Sequence, residues 1–82
     1  MYICLQRSKE VFDVYGNSLG QSGNSALYYS TEIGRRRIYR QTYPIPMYKK
    51  LRLLTYKNKK NAQKVCDYTN KLFNDNYEVV EI

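Results

Sequence analysis

Residues 51–82 read LRLLTYKNKKNAQKVCDYTNKLFNDNYEVVEI, in which a helical segment separates two apolar segments. In the helical segment, apolar and small residues recur at three- and four-residue spacing, which places them on one face of a helix. The residues of this face are Ala62, Val65, Cys66, Thr69, Leu72 and Phe73. Asn58 can cap the start of the helix, and Asn74 can end it in left-handed geometry. The pattern therefore predicts a helix over residues 59–73.

The segments on either side of this helix, residues 51–56 and 77–82, are rich in β-forming residues. Along the second segment, Val80 alternates with Val79 and the two side chains point to opposite faces. Because a strand–helix–strand unit favours a right-handed crossover, we expect the two strands to be parallel or nearly so in one sheet. Burial of each large apolar residue contributes roughly 1.5–3 kcal/mol, so the helix should pack on that sheet.

Four further strands are predicted ahead of this unit, at residues 2–6, 11–15, 26–30 and 35–43. Residues 20–24, GQSGN, have the composition of a loop. Pro44 and Pro46 should end the preceding strand because proline cannot donate to a strand ladder. The order β-β-β-β-β-α-β predicts an α+β fold in one domain spanning residues 1–82. We expect a single, mostly antiparallel sheet of five to six short strands with the C-terminal helix on one face.

The composition argues against conventional catalysis. The chain has ten tyrosines but no histidine, so it offers neither an imidazole base nor a histidine metal ligand. Its two cysteines and seven carboxylates do not follow the spacing of zinc or calcium sites. We therefore expect a binding protein rather than an enzyme, with no metal and no cofactor.

The start of the chain lacks the charged region and long apolar run of a signal peptide. No segment approaches the roughly 18 consecutive apolar residues that a membrane-spanning helix requires. These features predict a cytoplasmic protein that does not act at a membrane. In that compartment Cys4 and Cys66 should be free thiols with a structural role.

Basic charge is concentrated in the middle of the chain. The net charge is +7, and residues 25–60 alone contain ten basic residues and one acidic residue. Tyrosines interleave with these cations, a combination that can neutralise phosphates and stack on bases. The candidate binding residues are Arg35, Arg36, Arg37, Tyr39, Arg40, Tyr43, Lys49, Lys50, Arg52, Lys57, Lys59 and Lys60.

On an extended strand, Arg35, Arg37, Tyr39 and Tyr43 would share one face, which could serve as a platform for phosphates and bases. Tyrosine is also a good strand former that commonly packs in a core, so a purely structural role for these rings stays open. Lysines at a helix start can likewise be no more than a solvated surface. Three successive arginines are harder to explain without a partner.

Residues 51–82 resemble the strand–helix–strand tails of small phage and prophage proteins from low-GC Gram-positive bacteria. The resemblance implies a short phage protein that acts by binding in the cytoplasm of its bacterial host. Such proteins include nucleic-acid binders and inhibitors of host machinery, such as anti-CRISPR proteins. The small ribosome-dependent RNases of toxin systems are similar in size and charge, but their helices precede their strands, which is the reverse of the order here.

Two hypotheses follow. In the first, the protein is a small non-enzymatic module that binds DNA or RNA through the Arg/Tyr-rich surface of its middle third. In the second, it is a phage-encoded inhibitor that uses the same surface to bind a host nuclease or another nucleic-acid-processing protein, since Tyr and Arg are enriched at interface hot spots. Edge strands of the sheet could also pair two copies into a homodimer.

Overall fold

A computed structural model describes residues 1–7, 10–21, 23–32 and 37–82 of the chain. The elements, in chain order, are β1 (Tyr2–Gln6), β2 (Glu10–Phe12), β3 (Ser18–Gln21), β4 (Asn24–Ser30), β5 (Ile38–Tyr43), β6 (Leu51–Leu53), α1 (Lys59–Phe73) and β7 (Glu78–Glu81). The predicted α+β class is confirmed. Within the described residues, no helix is both long enough and apolar enough to cross a lipid bilayer.

Five of these strands form one antiparallel sheet in the order β5-β4-β1-β7, and β6 also pairs with β4. The seven residues of β4 make this branching possible. Ser25 and Ala26 pair with β1, whereas residues 28–30 pair with β6. Its other edge pairs with β5 from Asn24 to Tyr29. The long β4 strand is therefore the central scaffold of the sheet.

The prediction that residues 51–56 and 77–82 form parallel strands is wrong. Strand β6 pairs with β4 and β7 pairs with β1, and each pairing is antiparallel. Because β4 and β1 are themselves antiparallel, β6 and β7 run in opposite directions. The strand that accepts β7 comes from the opposite end of the chain, with Ile3 opposite Val80. Such a long-range partner is invisible to a rule about consecutive elements.

Side-chain alternation along β1 divides the core into two layers. On the side that α1 covers, here called the helix side, the buried residues are Cys4, Leu27, Cys66 and Tyr77. On the opposite side, the buried residues are Ile3, Leu5, Ala26, Tyr28, Tyr39 and Leu51. Val14, which follows β2 in the hairpin turn, packs against this second layer, and we call that face the hairpin side. Both cysteines are buried, and both are free thiols, as predicted.

The helix has the bounds that its caps predict. The Lys60 backbone N–H donates to Asn58 Oδ1 at 2.8 Å, and Asn74 adopts the left-handed conformation with φ of 56°. The buried residues of the helix are Ala62, Cys66 and Thr69. These side chains are small, so the helix can approach the sheet closely.

The C-terminal part of the predicted apolar face is not buried. Leu72 is 59% exposed and Phe73 is 40% exposed. At about 100° per residue, Leu72 lies nearly a quarter turn away from the line through Ala62, Cys66 and Thr69, so it flanks the contact face. Phe73 lies on that line, but it is the last residue of the helix, and its ring packs against the Arg40 side chain instead.

Strands β2 and β3 form a separate antiparallel hairpin. The Asp13 carboxylate organises its turn, because Oδ1 accepts the backbone N–H groups of Tyr15 at 2.9 Å and Asn17 at 2.8 Å. These hydrogen bonds, led by that from Asn17, lower the pKa of Asp13.

The prediction of a strand over residues 11–15 and a loop over residues 20–24 is therefore partly wrong. β2 ends at Phe12, β3 continues to Gln21, and Asn24 already belongs to β4. Ser22 lies outside the described residues. Glycine and serine content indicated a loop here, but pairing across the hairpin overrides that local preference.

Candidate functional site

A cavity of about 560 Å³ opens on the hairpin side of the sheet, beside β5 and the start of β6. Its volume falls within the range of about 300–1,000 Å³ that is typical of small-molecule sites. The residues that line it are Val14, Tyr15, Ser30, Glu32, Arg37, Tyr39, Tyr48, Lys49, Lys50 and Leu51. We call it the basic cavity. It is assembled from four separate segments of the chain.

The floor of the basic cavity is part of the hydrophobic core. Tyr39 is only 7% exposed and Leu51 only 5% exposed, and both belong to the buried layer of the hairpin side. Val14 and Tyr48 are half-buried and pack against the same layer. The Leu51 backbone N–H donates to the Tyr48 carbonyl oxygen at 3.2 Å, which fixes the turn between them. A ligand would therefore meet aromatic and aliphatic surface at the bottom.

The rim carries exposed cations. The Lys50 ammonium lies 3.1 Å from the Glu32 carboxylate, but their side chains are 73% and 45% exposed. An ion pair this exposed stabilises the fold by no more than about 1 kcal/mol, so it offers little resistance to a competing anion. Within the described part of the chain, Arg37 and Lys49 have no carboxylate at ion-pair distance. These two cations can therefore accept an anion directly.

Backbone contacts hold the rim in place. Thr31, directly after β4, donates both its backbone N–H and its hydroxyl to the Lys50 carbonyl oxygen, each at 2.9 Å. This double contact ties the turn that carries Lys49 and Lys50 to the end of the central strand. The position of the rim thus follows from the sheet itself.

Tyr15 stands at the mouth of the cavity and is 82% exposed. It lies in the β2–β3 turn, which the Asp13 carboxylate holds through the Tyr15 and Asn17 N–H groups. A ring this exposed contributes little to the core. Sequence reasoning missed Tyr15 because it lies in the electrically neutral N-terminal third. Its position next to Gly16-Asn17, a turn signal, is the only local hint.

A second cavity, of about 220 Å³, adjoins the first. Four residues line both cavities: Val14, Tyr15, Arg37 and Tyr39. The others that line the second are Asp13, Gly16, Ile38, Arg40 and Phe73. Because these residues come from both faces of β5, which is the strand at one end of the sheet, the second cavity lies at that edge. We call it the edge cavity.

The structure brings four of the twelve candidate binding residues together in the basic cavity, namely Arg37, Tyr39, Lys49 and Lys50. Arg35 and Arg36 lie outside the described residues. Tyr43 packs against the hairpin-side core, and its ring therefore does not form an open platform with Tyr39. The tyrosines of β5 thus serve as core, in line with the structural role left open by the sequence.

Arg40 has a structural role. Its guanidinium donates to Asp75 Oδ2 at 2.9 Å and lies 3.7 Å from the centre of the Phe73 ring. The Arg40 and Asp75 side chains are only 11% and 15% exposed. Cation–π and ion-pair contacts of this kind, largely shielded from water, fasten the end of α1 to β5. Arg40 therefore contributes a planar wall to the edge cavity rather than a free cation.

The remaining basic candidates lie elsewhere on the surface. Arg52 is exposed and sits opposite Tyr29 in the β4–β6 ladder. The three lysines of the helix start, which are Lys57, Lys59 and Lys60, are exposed and line neither cavity. The described cations of the middle third therefore do not form one continuous binding surface.

The pKa values of two buried groups of the core, Tyr28 and Cys66, are raised above their ordinary values. Burial raises the pKa of Tyr28 to about 12, and its hydroxyl donates to the Thr42 carbonyl oxygen at 2.6 Å. The hydrogen bond with the Cys4 side chain, together with burial, raises the pKa of Cys66. Neither group faces the basic cavity.

Comparison with protein-family models, with curated proteins and with solved structures finds no match to this chain.

Proposed function

We propose that this protein binds single-stranded DNA or RNA through the basic cavity and catalyses no reaction on it. One observation carries the proposal: Arg37, Lys49 and Lys50 surround a recess whose floor and walls include Tyr39 and Tyr48. Cations at a rim suit phosphate, and an aromatic interior suits a base. The two features occur together in a nucleotide.

The shape of the site favours unpaired strands over duplex. In a duplex the bases are stacked and paired, so only phosphates could reach the rim and the aromatic interior would stay empty. A flexible single strand can turn a base into the recess, where stacking on an aromatic side chain contributes about 1–3 kcal/mol. The net charge of +7 adds long-range attraction to any nucleic acid.

The first test is fluorescence anisotropy with labelled ten-nucleotide single-stranded DNA, the same sequence as RNA, and the corresponding duplex. We expect micromolar or tighter binding to the single strands, weakening steeply between 50 and 200 mM salt. The double variant Arg37→Ala/Lys49→Ala should lower the slope of log affinity against log salt by about 1.4, since each phosphate contact to a single strand contributes about 0.7.

The matched control is Lys64→Ala/Lys71→Ala, which removes the same charge from exposed helix positions away from both cavities. If the two double variants lose equal affinity, binding follows net charge and the basic cavity is not the site. An absence of binding at 50 mM salt would refute the proposed function altogether.

That last outcome would favour the inhibitor hypothesis. The exposed Tyr15 beside Arg37 has the residue types of a protein-interface hot spot. A protein partner would co-purify from bacterial lysate after nuclease treatment, and Arg37→Ala/Lys49→Ala would abolish the capture. Loss of every partner after nuclease treatment would count against the inhibitor hypothesis.

A further inference from the structure

The basic cavity and the edge cavity adjoin at a shared wall of four residues, and we call the two cavities together the groove. Val14 and Tyr39 supply the inner part of this wall, and Tyr15 and Arg37 supply its exposed part. The groove begins over the core of the hairpin side and continues to the edge of β5. A ligand that fills both cavities must therefore pass Tyr15 and Arg37.

The shared wall has the chemistry of a junction between two nucleotides. Tyr15 is 82% exposed, so its ring is available to ligands on either side. Arg37 is exposed and, among the described residues, has no carboxylate partner. A guanidinium can bind a phosphate through two N–H groups.

The edge cavity also offers a surface for a base. The Arg40 guanidinium lies 3.7 Å over the Phe73 ring, and both groups line the cavity. Asp75 holds Arg40 in this position at 2.9 Å, so the planar wall is fixed before any ligand arrives. The edge cavity has a volume of about 220 Å³, whereas sites that hold a whole ligand usually have about 300 Å³ or more. Only part of a nucleotide therefore fits there.

We infer that the groove takes two successive nucleotides of an unpaired strand. One base occupies the basic cavity and the next occupies the edge cavity, with Tyr15 in contact with both. Arg37 binds the phosphate that links them, and Lys49 binds the phosphate on the far side of the basic cavity. This inference rests on the proposed function and adds to it the number of nucleotides bound and the cavity that each base occupies, which we call the register of the ligand.

The test compares three small ligands by isothermal titration calorimetry at constant salt. They are thymidine 5′-monophosphate, the 5′-phosphorylated thymidine dinucleotide, and the same dinucleotide with an abasic second position. The abasic compound has the phosphates of the dinucleotide and lacks one base. We expect the dinucleotide to bind at least tenfold more tightly than either of the other two.

The affinities of substitution variants test where the second base of the dinucleotide binds. Tyr15→Ala should weaken the dinucleotide by roughly 5- to 150-fold, the equivalent of about 1–3 kcal/mol per stacked base, and should affect the monophosphate less. Tyr68→Ala is the control, since Tyr68 is 63% exposed on the helix and lines neither cavity. Arg37→Ala should weaken the dinucleotide more than the monophosphate, whereas Lys49→Ala should weaken both.

Binding of a pentanucleotide distinguishes failure of the two-nucleotide register from failure of the proposed function. If it binds and remains sensitive to Arg37→Ala/Lys49→Ala while the dinucleotide and its abasic analogue bind equally, the two-nucleotide register is wrong and the proposed function stands. Equal effects of Tyr15→Ala and Tyr68→Ala on the dinucleotide would refute the register in the same way. If the pentanucleotide does not bind at all, the proposed function fails and the inference fails with it.

Discussion

Removal of one buried hydroxyl should destabilise this protein more than removal of two. Ser25 Oγ and Tyr77 Oη lie 2.7 Å apart on the helix side, and their residues are 0% and 3% exposed. In Tyr77→Phe the Ser25 hydroxyl stays buried without this partner, and in Ser25→Ala the same happens to the Tyr77 hydroxyl. Leaving a buried polar group unpaired costs about 1–3 kcal/mol, whereas replacing both partners with apolar groups is nearly neutral.

We therefore expect each single variant to lose about 2 kcal/mol of unfolding free energy and the double variant to lose less than either. For a domain of this size, 1 kcal/mol corresponds to a shift of about 4–8 °C in melting temperature, so the singles should melt at least about 8 °C lower. The assay is urea unfolding followed by circular dichroism, with Tyr68→Phe as a control at an exposed tyrosine. Additive losses in the double variant would show that the two hydroxyls do not satisfy each other.

Two further predictions concern stability. Because burial raises the pKa of Tyr28 to about 12, the unfolded chain loses this proton near pH 10 while the folded protein still holds it. The contribution of Tyr28 to stability should therefore be constant below about pH 10 and fall by up to about 2–3 kcal/mol as the pH rises to about 12; urea titrations should show this loss in wild type but reduced in Tyr28→Phe, and equal losses would refute the assignment. Asn58→Ala should cost about 1 kcal/mol because the Lys60 N–H loses its cap, whereas Asn58→Ser should restore most of it; thermal melts that leave both variants unchanged would contradict a capping role.

Local chemistry accounts for the elements that were predicted correctly. The helix begins after Asn58, whose side chain accepts a backbone N–H of the first turn, and it ends at Asn74, which adopts the left-handed conformation. Pro44 follows the last residue of β5, as expected for a residue that cannot donate to a ladder. In each case, the deciding contacts lie within a few residues in sequence.

The incorrect predictions concern features that depend on contacts with other segments of the chain. The antiparallel course of β7 depends on β1, more than 70 residues away in the chain. The exposure of Leu72 depends on how α1 meets the sheet, and the strand character of residues 18–21 depends on pairing with β2. Partners in other segments of the chain leave no periodic trace in the sequence of the residues that they contact.

The same distinction between local and long-range information applies to the candidate site. The order of the residues alone shows that the protein is basic, that its cations cluster in the middle third and that histidine chemistry is absent, because charge belongs to each residue regardless of its neighbours. Only the tertiary structure decided that Tyr39 is a buried floor, that Arg40 is fastened to Asp75 and that Tyr15 joins Arg37 and Lys49 around one recess. A cavity exists where segments distant in sequence pack side by side without filling the space between them, and that depends on the packing of the whole fold.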